Sequence, residues 1–305
     1  MDKKKAFLFN FCSMLCWAVS PLLIRQVRDW FSVSFQNFYR FGVAILILWI
    51  FTLSIYGRRR VVESVKKIKW AMPKLLVIAF CNFAHQFFLI KGVYLIFPGL
   101  AMIVEESTIM FAVVLAFIFI PGERRVIRQP LFIAGLALAV AGVILTSLPS
   151  LFSGTVGAGS AFGIFFVLIS SLAWAFFSLL IRLWLPDTPS MVTSSLVFTL
   201  VIPFFLVSMF LEEGPGILST FVPSSAWIIL TVSGIIGIGI AYPCYYQSLK
   251  GLGVTLTSGL SLLIPLFTAV ISFFMFGEVL SPVQLAGTAV LLSGCLIIVR
   301  TGFGL

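Results

Sequence analysis

Charge is what this sequence has least of. Charged residues fill 10% of its 305 positions, where a soluble domain needs about 25% to wet its surface. A soluble globular fold is therefore excluded. Acidic residues number 10 against 20 basic ones, and His85 is the single histidine. The net charge of +10 does not point to nucleic acid, because the Lys and Arg residues sit in short connectors between apolar runs. There is no Gly-x4-Gly-Lys-Ser/Thr loop for a nucleotide, and neither His-Glu-x-x-His nor Gly-x-Ser-x-Gly for hydrolysis. The chain is expected to be neither a primary pump nor an enzyme, and to carry no cofactor. Five cysteines (Cys12, Cys16, Cys81, Cys244, Cys295) all lie inside apolar stretches. An odd, buried set suits no disulfide framework, and with one histidine it leaves no metal-ligand spacing.

What fills the chain instead is hydrocarbon: 61% hydrophobic residues and a mean hydropathy of +1.17. The apolar residues come in runs of about 18 to 24, the length of a helix that crosses a bilayer. The runs predict an all-α polytopic membrane protein of ten transmembrane helices, near 6–25, 33–55, 70–91, 97–119, 130–148, 160–183, 189–211, 226–249, 254–276 and 282–300. The first run follows Asp2-Lys3-Lys4-Lys5 like a signal peptide, yet it continues to Ile24 without an Ala-x-Ala cleavage site and is expected to be a first span. With the N-terminus in the cytoplasm, 15 Lys and Arg residues fall in inside segments and three (Arg25, Arg28, Lys91) outside. That bias predicts that both termini are cytoplasmic.

The two halves repeat each other. Residues 15–25, Leu-Cys-Trp-Ala-Val-Ser-Pro-Leu-Leu-Ile-Arg, match residues 172–182, Leu-Ala-Trp-Ala-Phe-Phe-Ser-Leu-Leu-Ile-Arg, at seven of eleven positions. Lys91-Gly92 recurs as Lys250-Gly251, and Gly122-Glu123 as Gly277-Glu278. Pro130, Gly135 and Gly142 recur with the same spacing as Pro282, Gly287 and Gly294. Five spans per half require the second half to be inverted, giving a repeat at 6–148, a Gly/Ser-rich linker at 149–159 and a second repeat at 160–300. Inverted repeats are a property of secondary transporters, whose site lies between the halves near the midplane. The four glycines are read as helix-packing positions, where small residues let backbones approach.

The paired Trp-to-Arg segments, the Gly-Glu endings and the Pro-x4-Gly-x6-Gly helices resemble the EamA family of the drug/metabolite transporter superfamily, over nearly the whole chain. The resemblance implies ten helices around a central cavity and transport of small metabolites such as amino acids, amines or drugs. One departure is visible: the ninth span holds Pro265, where the fourth has Met110, with Glu105-Glu106 just ahead of it.

An ionisable side chain at mid-bilayer costs about 2.5–3.5 kcal/mol on insertion scales, so each one needs a reason. Arg40, His85, Glu105 and Glu106 fall at one depth, roughly 9–13 Å below the outer surface at 1.5 Å per residue. Gln36 and Asn37 lie one turn above Arg40. An Arg40–Glu salt bridge would leave one acid over. The four residues are therefore read as a proton-coupling or cation-binding set, in which Glu105 or Glu106 is the working acid, Arg40 orients its partner and His85 tunes or relays. Trp17, Trp174, Gln36, Asn37, Tyr39, Tyr242, Tyr246 and Ser261 are candidate cavity residues, the aromatic ones suited to stacking or to an ammonium group.

The expected function is secondary active transport of a small polar organic solute (a cationic or zwitterionic metabolite, amino acid or drug) by alternating access, coupled to protons. Two alternatives remain: an exporter of neutral or aromatic amino acids or drugs whose buried acids are structural, and a lipid-carrier flippase. The expected setting is the cytoplasmic (inner) membrane of a bacterial or archaeal cell. The partners expected there are a small-molecule substrate, lipid and protons, with no nucleic acid, and the protein is expected as a monomer or weak homodimer.

Overall fold

The computed structural model describes residues 3–68, 72–121, 124–152, 159–185, 188–213 and 222–302. Among them the chain is entirely helical: α1 Lys3–Gln26, α2 Val33–Ile68, α3 Met72–Leu95, α4 Pro98–Glu105, α5 Thr108–Phe119, α6 Arg124–Ile127, α7 Pro130–Phe152, α8 Gly159–Trp184, α9 Ser190–Glu213, α10 Ser224–Gly234, a π-helical turn Ile235–Ile240, α11 Ala241–Ser261, α12 Ile264–Phe276 and α13 Pro282–Gly302. Eight helical stretches are long and apolar enough to cross a membrane, and Ile264–Phe276 and Pro282–Ile298 are shorter apolar helices. The surface is inside-out relative to a soluble protein. Leu211 and Phe274 are 82% and 79% exposed, whereas Asn10, Gln36, Asn37 and Asn82 are fully buried and Arg40 is 2% exposed. Polar groups turned inward under an apolar coat are what a hydrocarbon solvent demands.

Four features differ from the hydropathy reading. Helix α2 runs past the expected end at residue 55 to Ile68, bending at Gly57, whose φ of 73° suits a residue without Cβ. Beyond the bend the basic segment holds no proline and gains an Arg59–Glu63 pair at i, i+4, so it stays helical. The fourth span breaks at Glu106-Ser107, between α4 and α5. The matching break in the second half, at Leu262-Leu263, precedes Pro265 in the first turn of α12, where a missing N–H does no harm. Helix α7 extends to Phe152 and α8 begins at Gly159, so the expected linker shortens. Residues 153–158 of it, and Gly122-Glu123, lie outside the described residues. The connector expected at Gly251-Leu252-Gly253 falls within α11. Ser248 and Thr257 nevertheless join their hydroxyls at 3.2 Å, although a straight helix would hold them about 13 Å apart. The chain therefore doubles back between them.

Contacts between the halves come in matched sets. Helix α7 lies along α13, α2 along α9, α3 along α8, α1 along α11, and α4 meets α12. The first two pairs join counterpart spans and run antiparallel. Ser34 bonds Ser208 while Thr52 bonds Ser195, and Gly135 faces Gly294 while Thr146 faces Gly287. The α7–α13 contact is backbone on backbone. A Cβ on Gly142 would lie 2.3 Å from Leu291 N, one on Gly287 2.5 Å from Thr146 N, and one on Gly294 2.4 Å from Ala139 N.

Helix α4, which carries the acids, is anchored across the halves. The Glu278 carboxylate accepts the N–H groups of Gly99 at 3.0 Å and Leu100 at 2.8 Å, at the start of α4. Anions are favoured at a helix N-terminus. Gly99 must lack a side chain, since its Cβ would lie 2.5 Å from Glu278 Oε2. The preceding turn is held by Arg25, which donates to Val93 O and Ile96 O and stacks over Phe97 at 4.7 Å. The Gly-Glu pair at 277–278 thus has a physical task in the second half.

Two stability predictions follow from these contacts. Gly142→Ala forces a methyl group onto the Leu291 backbone and should destabilise the protein by about 1–3 kcal/mol, seen as a lower melting temperature in detergent. Gly42→Ala, at a position with open space around it, is the control and should melt no lower than wild type. Glu278→Ala strips two helix N–H groups of their acceptor and should cost about 1–2 kcal/mol. A variant melting like wild type would show that the cap does not hold α4.

Candidate functional site

Between the halves lies a cavity of about 510 Å³. Its wall is assembled from matching places in the repeat. Trp17, Ser20, Pro21 and Ile24 of α1 face it, as do their counterparts Trp174, Phe177, Ser178 and Ile181 of α8. His85, Gln86 and Leu89 of α3 are answered by Tyr242, Tyr245 and Tyr246 of α11. Glu105, Glu106 and Thr108 at the α4–α5 break are answered by Ser261, Leu262 and Ile264 at the α11–α12 break. Arg40 from α2, with Thr193 and Ser194 from α9, completes the ring, and α7 and α13 supply none of the lining residues.

All four ionisable residues of the expected polar layer face this cavity, but they pair differently from the expectation. Glu105 is the last residue of α4, where the helix gives way to tighter turns: Glu106 N bonds Ile103 O and Ser107 N bonds Val104 O. Its carboxylate lies 3.4 Å from His85 Nδ1 and accepts the hydroxyls of Ser170 at 3.2 Å and Ser171 at 3.0 Å. Ser170 Oγ is also 2.8 Å from His85 Nδ1, so one serine bridges acid and imidazole. The His85 ring lies 4.7 Å from the Trp174 ring. Glu106, on the next residue, enters no ion pair among the described residues.

No ion pair joins Arg40 to either glutamate. Arg40 Nη2 donates to Ser20 Oγ at 3.0 Å, while Nε and Nη1 are buried without a partner. The reason is local. Gly234 of α10 presses on the Arg40 backbone, its would-be Cβ 2.9 Å from Arg40 O, and Gly237 of the π-turn sits against Ser20 and the guanidinium. The second half wraps Arg40 from one side and keeps it away from α4.

The aromatic candidates divide. Trp17 donates Nε1–H to Gly237 O at 3.1 Å and meets Tyr242 and Tyr245 at 5.4 and 5.1 Å between ring centres. Trp174 stacks on Phe177 at 4.8 Å. Tyr246 hydrogen-bonds Ser194, and Ser261 bonds back to Thr257 O at 2.9 Å. These residues line the cavity. Gln36, Asn37 and Tyr39 are not among its lining residues. Gln36 donates to Ile24 O and Tyr94 OH, Asn37 to Gln86 O, and Tyr39 pairs with Thr231 beside Trp227. All three are ties between helices, a turn or a face away from the space they were expected to line.

Residues missed by the sequence reading are Ser170, Ser171 and Ser20, which hold the charged groups, and Gly234 and Gly237, which admit Arg40. The adjacent serines of the sixth span and the Gly-x-x-Gly spacing of the eighth were the available signals. Spacing alone does not say which helix such groups will meet.

Relatives share this frame. A chloroplastic WAT1-related protein of Arabidopsis thaliana is 27% identical over 90% of this chain, which spans 65% of that protein's length. A Salmonella typhimurium protein named "Probable amino-acid metabolite efflux pump" is 29% identical over 72% of each chain. An uncharacterized transporter of Archaeoglobus fulgidus is 24% identical over 90% of each. A crystal structure at 18% identity superposes over 96% of each chain with a TM-score of 0.65, which shows a shared fold. The profile of the EamA-like transporter family matches residues 4–148 and 161–300, and with a match over both halves this chain belongs to that family, a multi-pass membrane protein of the transporter class.

Proposed function

We propose that the protein carries a small polar organic solute with an ammonium group, cationic or zwitterionic, through the central cavity by alternating access, driven by protons. The observation that carries this reading is an acid facing a cavity built equally from both halves. Glu106 lines that space without an ion-pair partner among the described residues, and an ionised carboxylate in a low-dielectric site needs one. Aromatic faces of Trp17, Trp174 and Tyr242 surround the same space, which suits an ammonium group. Glu105 and His85, joined directly and through Ser170, form a pair that can hold or release a proton inside the membrane. In this reading Glu106 takes the solute's cation and Glu105–His85 answers the proton gradient.

The mechanism rests on ten spans in two inverted five-helix halves, 6–148 and 160–300, with both termini cytoplasmic. The antiparallel pairing of α2 with α9 and of α7 with α13 supports the inversion. Exchanging the conformations of the halves then opens the cavity to the opposite side. The name of the Salmonella relative favours export of amino-acid metabolites. A bacterial or archaeal inner membrane is the proposed setting, although one relative is a plant chloroplast protein.

Reconstitution tests this. Purified protein in liposomes with an imposed pH gradient should move labelled amino acids or amines. Glu106→Gln should reduce that flux about tenfold or more, the scale of one lost charge-assisted contact. Glu105→Gln and His85→Asn should instead weaken the dependence of flux on the gradient. Wild-type flux from both amide variants would defeat the assignment.

A further inference from the structure

Arg40 is a buried cation without an anion. It is 2% exposed, and no carboxylate lies within ion-pairing distance among the described residues. Two of its N–H groups, Nε and Nη1, have no acceptor, although both are buried. Proteins do not leave a guanidinium in this condition for stability, since an unpaired buried charge is among the costliest defects. The acids Glu105 and Glu106 line the same cavity, Glu105 paired with His85, and neither forms an ion pair with Arg40.

The surroundings are built to keep the group there. Ser20 holds Nη2 and so fixes the plane of the fork. Gly237 offers the room: a Cβ there would lie 2.4 Å from Ser20 Oγ and 3.3 Å from Nη2. It belongs to a π-turn, a helix irregularity that recurs at functional sites, and its carbonyl is tied by Trp17. Nη2 keeps a second N–H beside the one given to Ser20, and with the free N–H of Nε or Nη1 it makes a planar fork that matches the two oxygens of a carboxylate.

We propose that Arg40, positioned by Ser20 and Gly237, is the carboxylate-binding subsite of the cavity. The solute is then zwitterionic, its carboxylate on Arg40 and its ammonium on the acid side, and simple amines are poor substrates. This rests on the reading of the cavity as a solute path, and reassigns Arg40 from partner of an acid to partner of the cargo.

The test uses L-phenylalanine, L-leucine and L-threonine, each beside its primary amide and its decarboxylated amine. Binding to the purified protein is read by thermal shift, and flux in proteoliposomes. Wild type should prefer at least one amino acid over its amide and amine by about tenfold or more. Arg40→Gln should bring that ratio near one, and Arg40→Lys should keep part of it. If Arg40→Gln does not fold, Ser20→Ala and the wild-type series still decide, the former with a reduced ratio. A wild type that treats acid and amide alike, or a folded Arg40→Gln that keeps the preference, overturns the subsite. So does stabilisation by chloride over methanesulfonate that depends on Arg40 without carboxylate preference, because the anion would then be inorganic. Amine flux indifferent to Arg40 would sink the subsite and leave the transport reading standing. Arg40-dependent carboxylate binding with no flux of any solute would do the reverse.

Discussion

A charged side chain inside hydrocarbon must find its partners within the protein, because no water reaches it from outside. This chain meets that constraint to different degrees at different places, and the differences map its parts. Near the ends of the bundle charges tie helices together: Glu278 accepts two helix N–H groups, and Arg25 reaches two helix carbonyls through Nη1 and lies over an aromatic face. In the cavity satisfaction is partial. Glu105 has two serines and an imidazole, Arg40 has one serine for three donor atoms, and Glu106 has no ion-pair partner among the described residues. The satisfied charges bind helix to helix and make the frame. The under-satisfied ones face the central cavity, where on the proposed function the cargo would complete their contacts.

The frame is close to symmetric and the chemistry is not. Both halves break the same span, at Glu106-Ser107 and at Leu262-Leu263, and both turn the broken part toward the cavity. In the first half the break carries acids, in the second apolar residues and a proline. On the proposed mechanism the repeat supplies two equivalent shapes for the bundle, and a charge placed in one half alone gives the cavity a fixed chemical polarity through their exchange. Arg40 fits this arrangement, since it belongs to the first half but is enclosed by the π-turn of the second.

Much of the frame was legible in the sequence because it rests on local and repeated signals. Apolar run length marked the eight long apolar helices and the two shorter ones, and the Pro-x4-Gly-x6-Gly repeat marked the two helices, α7 and α13, that pack on each other. The depth argument brought Arg40, His85, Glu105 and Glu106 to one layer, and one cavity does receive all four. Pairing within the layer was not legible. Which acid meets the histidine depends on Ser170 and Ser171, about 65 residues away in sequence, and the isolation of Arg40 depends on glycines nearly 200 residues further on. Gln36, Asn37 and Tyr39 were placed near the cavity by depth, but depth says nothing of azimuth. Their side chains point to neighbouring helices instead.

The glycine contact between α7 and α13 bears on how such a bundle could move. It brings the halves together backbone to backbone, tightly enough that a single methyl group at Gly142 meets main-chain atoms. Neither helix contributes to the cavity lining. Interdigitated backbones resist sliding, because each step along the axis meets another side chain where a glycine had been. The lining helices are held across the halves by apolar packing, as of Ile90 and Val93 with Ile164 and Val167, and by hydroxyl pairs, ring edges and the Glu278 cap. On the proposed alternating mechanism, α7 and α13 are the seam between the halves, and the rearrangement falls to the helices that line the cavity, to which neither of them contributes.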